Sequence, residues 1–159
     1  MLCAHPPAPV GVSIHEKVVR GATTYTFRVV NRTRQPIVAL RIGYNAARQE
    51  PQLTTLPPQW TFERGLAPGT AAAPAGWSVR LVTTEENPKF MLEWTSERGP
   101  KSDIRPGKSE RSFRITLAHP ARDYRQAMFE VTLADSTRLR GTLTPACEHD
   151  IATTPIRIR

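Results

Sequence analysis

A regular alternation of apolar and polar side chains, entered from a Pro-Gly turn, restricts the fold of this chain more than any other feature of the sequence. After Pro106-Gly107, apolar residues occupy every second position at Phe113, Ile115 and Leu117, and polar residues fill the places between them. A period of two puts alternate side chains on opposite faces of a β-strand. The stretch therefore predicts a strand with one face in a core and the other in water.

The same pattern returns along most of the chain, with turn residues between the repeats. It predicts strands near residues 10–19, 25–30, 38–44, 77–81, 90–94, 112–117, 129–133 and 139–143. The chain also has 15 prolines, and an interior proline costs a helix about 3 kcal/mol. Short strands without a long helix favour an all-β fold, and their spacing indicates an antiparallel two-sheet sandwich of about eight or nine strands.

The length and composition indicate how the chain is divided. With 159 residues the chain suits one domain, and we expect an extended proline-rich leader over 1–9, the β-sandwich domain over 10–145 and a C-terminal tail over 146–159. Ile156 and Ile158 alternate with arginines in that tail, which predicts a terminal edge strand. No apolar run approaches the roughly 20 residues of a membrane-spanning helix, so no span is expected.

Three short motifs resemble those of a known group of domains. They are YTFRVVN at 25–31, PIVAL at 36–40 and IRPGKS at 104–109. In this order they resemble the Ig-like and fibronectin-type-III-like accessory modules of bacterial exported proteins, over about residues 10–145. The resemblance implies an Ig-like sandwich and an extracytoplasmic location, periplasmic or secreted, and it implies no particular ligand.

The two cysteines lie just outside the expected sandwich. If leader and tail leave the fold on one side, Cys3 and Cys147 can form a disulfide, which requires an oxidising compartment. Each begins a Cys-x-His tripeptide with His5 or His149, and zinc accepts such a set of four ligands. The spacing is shorter than that of common zinc motifs, so we expect a disulfide and no metal, with two free thiols as the alternative.

The aromatic residues are the candidates for binding a sugar ring by stacking. Trp77 and Trp94 share the register of apolar strand positions, so we expect both in the core. Trp60 follows two prolines in the irregular stretch and is the best candidate for an exposed stacking surface. Tyr44 and Tyr124 are the residues that we expect to join it.

The chain is basic, with a formal net charge of +8 that comes mainly from arginine. Among these arginines we select Arg28, Arg41 and Arg114 as candidate ligand-binding residues. All the arginines on predicted outward strand positions would suit carboxylate or phosphate groups if they shared one sheet; they are Arg28, Arg41, Arg80, Arg114, Arg138 and Arg140. An arginine-rich composition and ordinary solvated ion pairs explain the same pattern without a ligand.

No catalytic signature is present in the sequence. There is no Gly-x-Ser-x-Gly, no His-Glu-x-x-His and no phosphate-binding glycine loop, so we expect neither an enzyme nor a cofactor. Nucleic acid is not expected as a partner, because aromatic residues are not interleaved with the basic ones. Three hypotheses follow: a non-catalytic binding or spacer module, a carbohydrate-binding module, and a structural subunit that docks other proteins through strand edges or a basic face. The expected partner is a protein or a polysaccharide, including anionic ones.

Overall fold

The computed structural model describes residues 8–84 and 86–146. The described chain forms twelve strands, one 3₁₀ turn (Gly99–Lys101) and a one-turn helix α1 (Arg122–Arg125). The strands are β1 (Val10–Val19), β2 (Ala22–Asn31), β3 (Ile37–Ile42), β4 (Tyr44–Asn45), β5 (Glu50–Pro51), β6 (Ala71–Ala72), β7 (Trp77–Thr84), β8 (Asn87–Ser96), β9 (Ser109–Leu117), β10 (Met128–Leu133), β11 (Arg138–Thr142) and β12 (Thr144–Pro145). Cys3, Cys147 and the expected edge strand of the tail lie outside the described residues.

Two five-stranded sheets contain most of these strands. The first sheet has the order β12-β1-β2-β9-β6 and the second has the order β11-β10-β3-β8-β7, while β4 and β5 pair separately. All described pairings within the two sheets are antiparallel except that of β12 with β1. The expected all-β, two-sheet, Ig-like sandwich is confirmed, and within the described chain no helix is long and apolar enough to cross a membrane.

Aromatic side chains fill the space between the sheets. Trp94 is fully buried and packs edge-on against Phe27 and Phe113, with ring centroids 5.9 Å and 5.8 Å away. Trp77 is also buried and packs on Phe113. Each indole N–H donates to a backbone carbonyl, from Trp77 to Ser102 and from Trp94 to Ala72, so neither buried polar atom is left without a partner. The prediction that both tryptophans lie in the core is confirmed.

The end of β2 is tied to the turn that precedes β9 by a buried asparagine. The Asn31 side-chain amide donates to the carbonyls of Gln35 and Ile104, both at 2.9 Å. Its backbone N–H donates to Lys108 O, and its backbone carbonyl accepts from Gly107 N. The first and third sequence motifs therefore meet here, and the buried asparagine satisfies the backbone groups of both.

The predicted third strand needs two corrections. It begins one residue earlier, at the fully buried Ile37, whose partner Leu133 follows the register shift in the pairing of β3 with β10. The predicted strand also runs on to Tyr44. Instead the chain turns at Gly43, where φ is +87°, and Tyr44 begins the separate strand β4.

Candidate functional site

A row of alternating charges crosses the outer face of the second sheet. We call this row the charge ladder. It has one member on each strand of the sheet, in the order β7-β8-β3-β10-β11, and these members are Arg80, Glu93, Arg41, Glu130 and Arg140. Direct cross-strand register pairs each one with the next. Opposite charges facing each other across strands stabilise a sheet, so the ladder binds all five strands together.

Short contacts connect the central arginine to both carboxylates. Arg41 Nε donates to Glu93 Oε2 at 2.8 Å, and Arg41 Nη1 donates to Glu130 Oε1 at 3.3 Å. Arg80 Nη2 lies 2.6 Å from Glu93 Oε1, whereas Arg140 Nε lies 3.9 Å from Glu130 Oε2. Glu93 and Glu130 are only 7% and 2% exposed, and burial of such groups requires these partners.

The ionisation of Glu93 reflects this setting. Burial alone would raise the pKa of the Glu93 carboxyl, but hydrogen bonds and charge from Arg41 and Arg80 outweigh it, so the pKa lies below its ordinary value. The Arg41 guanidinium also lies 5.4 Å from the centroid of the Tyr44 ring. Both residues are sequence candidates for ligand binding. In the structure Arg41 is a member of the ladder, and the ring of Tyr44 packs against it.

Arg28 lies at a different place, in a cleft where β1 and β2 approach β11. We call it the basic cleft. Its volume is about 230 Å³, and its lining includes the three arginines Arg28, Arg32 and Arg140. Among the described residues that line it, the others are small, apolar or hydroxyl-bearing, and none is an Asp or a Glu.

Two glycines in the lining of the cleft leave space for the side chains packed against them. A Cβ added to Gly11 would approach Arg32 Nη1 to 3.3 Å, and a Cβ added to Gly141 would meet the Phe129 ring at 2.9 Å. Arg32 Nη1 also donates to Ala8 O at 3.3 Å. Sequence reasoning missed Arg32 because it follows the end of β2 and so has no place in the alternation; the backbone bond from Arg32 N to Pro9 O brings it beside β1.

The irregular segment before β6 presents a second candidate surface. Trp60 is partly exposed and packs edge-on against Phe62, with ring centroids 4.9 Å apart. Phe62 is 57% exposed and Leu56 is 49% exposed. We call residues 54–65 the aromatic loop. In this loop Trp60 is partly exposed, and its aromatic neighbour is Phe62 rather than a tyrosine.

The helix α1 anchors the start of the aromatic loop. Asp123 Oδ2 accepts hydrogen bonds from Thr54 N at 2.8 Å and Thr55 N at 2.9 Å, and Asp123 Oδ1 accepts one from Thr55 Oγ1 at 2.9 Å. Burial of Asp123 opposes ionisation, but these hydrogen bonds outweigh it and lower the pKa of the carboxyl. A charged Asp123 therefore fixes the loop to the sandwich.

Tyr124 is not part of an exposed surface, contrary to the sequence expectation. It is fully buried, its ring stacks on Tyr25 at a centroid distance of 5.6 Å, and its hydroxyl donates to Thr55 O. Burial raises the pKa of the Tyr124 hydroxyl. The alternation of a strand could not reveal this burial, because Tyr124 lies on a one-turn helix. In the structure its hydroxyl supports the start of the aromatic loop.

The remaining candidate arginine stands apart from the others. Arg114 is exposed on β9 in the first sheet, opposite Thr26 on one side and Ala72 on the other. The six outward arginines are therefore divided between two sheets: Arg28 and Arg114 lie on the first, and Arg41, Arg80, Arg138 and Arg140 lie on the second. In the part of the chain that the structure describes, no three His, Cys, Asp or Glu residues are grouped so as to hold a metal ion.

Comparisons with known proteins show similarity at the level of the fold. No protein-family model matches the chain, and no curated protein matches it in sequence. An uncharacterized protein from Nocardia farcinica, whose crystal structure reveals an immunoglobulin-like fold, is similar with a TM-score of 0.53 and 19% sequence identity. The match covers 86% of this chain and 87% of that one. At this identity the likeness establishes the architecture, and the chain folds as an immunoglobulin-like β-sandwich.

Proposed function

We propose that this chain is a non-catalytic β-sandwich binding module of an exported bacterial protein, and that it holds an anionic group of its partner in the basic cleft. The observation that carries the proposal is that Arg28, Arg32 and Arg140 line one cavity. Guanidinium groups bind carboxylate, phosphate and sulfate groups through paired N–H donors. Three of them around one cavity favour an anion over a neutral ligand.

The size of the cleft limits what it holds. A volume of about 230 Å³ is smaller than the roughly 300–1,000 Å³ of pockets that enclose a whole small molecule. Val10, Val12 and Phe129 supply apolar lining beside the arginines. The cleft is therefore suited to one anionic group of a larger partner, either a protein or an acidic polysaccharide, with the remainder of the partner lying on the surface.

Retention on immobilised polysaccharides across a salt series tests this proposal. We expect the protein to be retained on a sulfated polysaccharide and not on a neutral one, and retention to fade as salt rises, because salt screens exposed charges. Inorganic phosphate should elute the protein. Arg32→Gln combined with Arg28→Gln should abolish retention.

The matched control for that experiment is Arg138→Gln, which removes an exposed arginine of β11 that does not line the cleft. It should be retained like the wild type. Equal loss of retention in the control and in the cleft variant would show that overall charge, and not the cleft, binds the anion. Unchanged retention of the cleft variant would contradict the proposal directly.

A second candidate function, carbohydrate binding through the aromatic loop, is favoured by the contact of the partly exposed Trp60 with the exposed Phe62. An aromatic face packs on the apolar face of a sugar ring, and this contact does not depend on salt. Retention on a neutral polysaccharide that persists in high salt and disappears in Trp60→Ala would support it. A Phe62→Ala variant with full retention would show that Trp60 acts alone.

The exported location is also a proposal, supported by the sequence resemblance and by the expected disulfide between Cys3 and Cys147. Intact mass measured without reductant distinguishes the alternatives. A mass two hydrogens below that of the reduced chain supports the disulfide and an oxidising compartment. Two thiols that react fully with an alkylating reagent would contradict it.

A further inference from the structure

The strand β7 lies at one edge of the second sheet, and its backbone groups point alternately toward β8 and toward that edge. Glu97 N donates to Gly76 O, so residue 76 points its carbonyl toward β8. Backbone groups alternate in direction along an antiparallel strand. Trp77 N accordingly points away from β8, where it donates to Pro74 O. By the same alternation, the N–H and C=O groups of Val79 and Leu81 point toward the outer edge.

This outer edge is open only in its middle. Pro74 covers the start through the bond from Trp77 N, and a register shift between Val82 and Thr84 disturbs the far end. Among the described residues, no strand pairs with the part of this edge that lies between Trp77 and Val82. Unpaired backbone groups on an edge strand are a template for another strand. Val79 and Leu81 therefore offer two donors and two acceptors to an incoming chain.

The charge ladder determines which chain fits this edge. It begins at the β7 edge with Arg80, whose side chain is 70% exposed, and alternates inward through Glu93 to Arg41. A strand placed beside β7 would put one side chain directly opposite Arg80, at the next position of the ladder. A carboxylate there continues the alternation, whereas a cation would face Arg80 and be repelled.

We propose that β7 is a docking edge for an extended segment of another protein, which adds as a sixth strand to the second sheet and places an acidic side chain against Arg80. The neighbours of that acidic residue point to the inner side, beside Val79 and Leu81. Both of these side chains pack against the core and are only partly buried, so apolar neighbours in the partner would complete their burial. The recognised sequence alternates apolar and acidic residues.

Fluorescence anisotropy with a labelled peptide of alternating valine and glutamate tests the proposal. Cross-strand charge pairs contribute up to about 1 kcal/mol, so Arg80→Glu should weaken binding of this peptide about fivefold. The same variant should gain affinity for a peptide in which lysine replaces glutamate. Arg138→Glu, on the opposite edge strand of the same sheet, is the matched control and should bind like the wild type.

A second variant and a second peptide test the backbone pairing itself. Val79→Pro removes an N–H that points away from β8, so the pairing of β7 with β8 survives and binding is lost. Far-UV circular dichroism should be unchanged in this variant. A glutamate peptide with alternate N-methylated residues should not bind. Equal affinity of the methylated and unmethylated peptides would show that charge alone attracts them, and would overturn the proposal.

Two further outcomes separate this docking edge from its alternatives. The peptide should bind Arg32→Gln as well as it binds the wild type, so that failure of the cleft and failure of the edge are distinguishable. A concentration-dependent dimer in light scattering that Val79→Pro abolishes, together with no peptide binding, would mean that a second copy of the chain occupies the edge. That result would overturn the proposal of an acidic partner.

Discussion

The charge ladder and the basic cleft both contain outward-facing arginines, but the residues around these arginines differ. In the ladder each arginine alternates with a buried carboxylate, and Arg41 contacts both Glu93 and Glu130. In the cleft, Arg28 and Arg32 share a cavity with small and apolar residues. The ladder arginines therefore lie against buried carboxylates of neighbouring strands, whereas the cleft arginines line a cavity that we propose as a binding site.

Arg140 belongs to both regions and shows how they differ. It lines the cleft and also ends the ladder, but at 3.9 Å its contact with Glu130 is longer than either contact of Arg41 with the ladder carboxylates. Exposure follows the same order, because the side chain of Arg41 is 24% exposed and that of Arg140 is 54% exposed. We expect the contribution to folding stability to fall, and the contribution to binding to rise, from Arg41 through Arg140 to Arg32.

The largest effect on stability is expected from Arg41→Met. The substitution keeps most of the apolar stem, but it leaves Glu93 with Arg80 alone and removes the nearer of the two partners of Glu130. Removing one member of a buried ion pair costs about 3 kcal/mol or more. Urea unfolding should show this loss, with Arg138→Met as an exposed control that changes little. A loss below about 1 kcal/mol would mean that the ladder is not structural.

A smaller loss is expected from Glu93→Gln, about 1–2 kcal/mol at neutral pH, because hydrogen bonds to a charged group are weakened. The pKa of Glu93 is lowered from its ordinary value of 4.5 by folding. Its contribution to stability is therefore complete above that ordinary value and is lost as pH falls through the lowered folded pKa.

Unfolding experiments between pH 7 and pH 2 test the sign of this effect. The wild type should lose more stability on acidification than Glu93→Gln does, so the two curves should converge at low pH. Parallel curves would show that the pKa of Glu93 is not lowered by folding, and that Arg41 and Arg80 do not stabilise its charged form.

Arg140→Gln should lower the free energy of unfolding by no more than about 1 kcal/mol, as expected for an exposed and loosely paired arginine. It should weaken phosphate binding more than it weakens the fold. Calorimetric titration with phosphate, beside urea unfolding of the same variant, measures both. A variant that lost as much stability as Arg41→Met and kept its phosphate affinity would reverse our assignment of Arg140.

The smallest effect on stability is expected from Arg32→Gln, within about 0.5 kcal/mol, since the residue is exposed outside the strands. Phosphate affinity should nevertheless fall about tenfold. Gly11→Ala offers an independent test, because its Cβ would press on Arg32 Nη1 and should reduce affinity without changing any charge. Unaltered affinity in both variants would remove Arg32 from the site.

The sequence predicted the strands of this protein well because a period of two is a local property. Phe113, Ile115 and Leu117 are all buried as the alternation requires, and the tryptophans in register with such positions lie in the core. The prediction of the third strand was wrong at both ends, because β3 begins at Ile37 beside a register shift and a turn at Gly43 separates Tyr44 from it. Neither change leaves a local signal in the residues that it displaces.

The candidate site depended much more on tertiary structure. Outward positions for Arg28 and Arg41 follow from the sequence alone, because alternation assigns each side chain to a face. The sequence does not show which strands are neighbours. The strand order places Glu93 beside Arg41, and the tertiary fold brings Arg32 into the same cleft as Arg28. The sequence thus determined the sandwich and the direction of its side chains, whereas strand order decided which charges meet, because charges interact strongly only over a few ångströms.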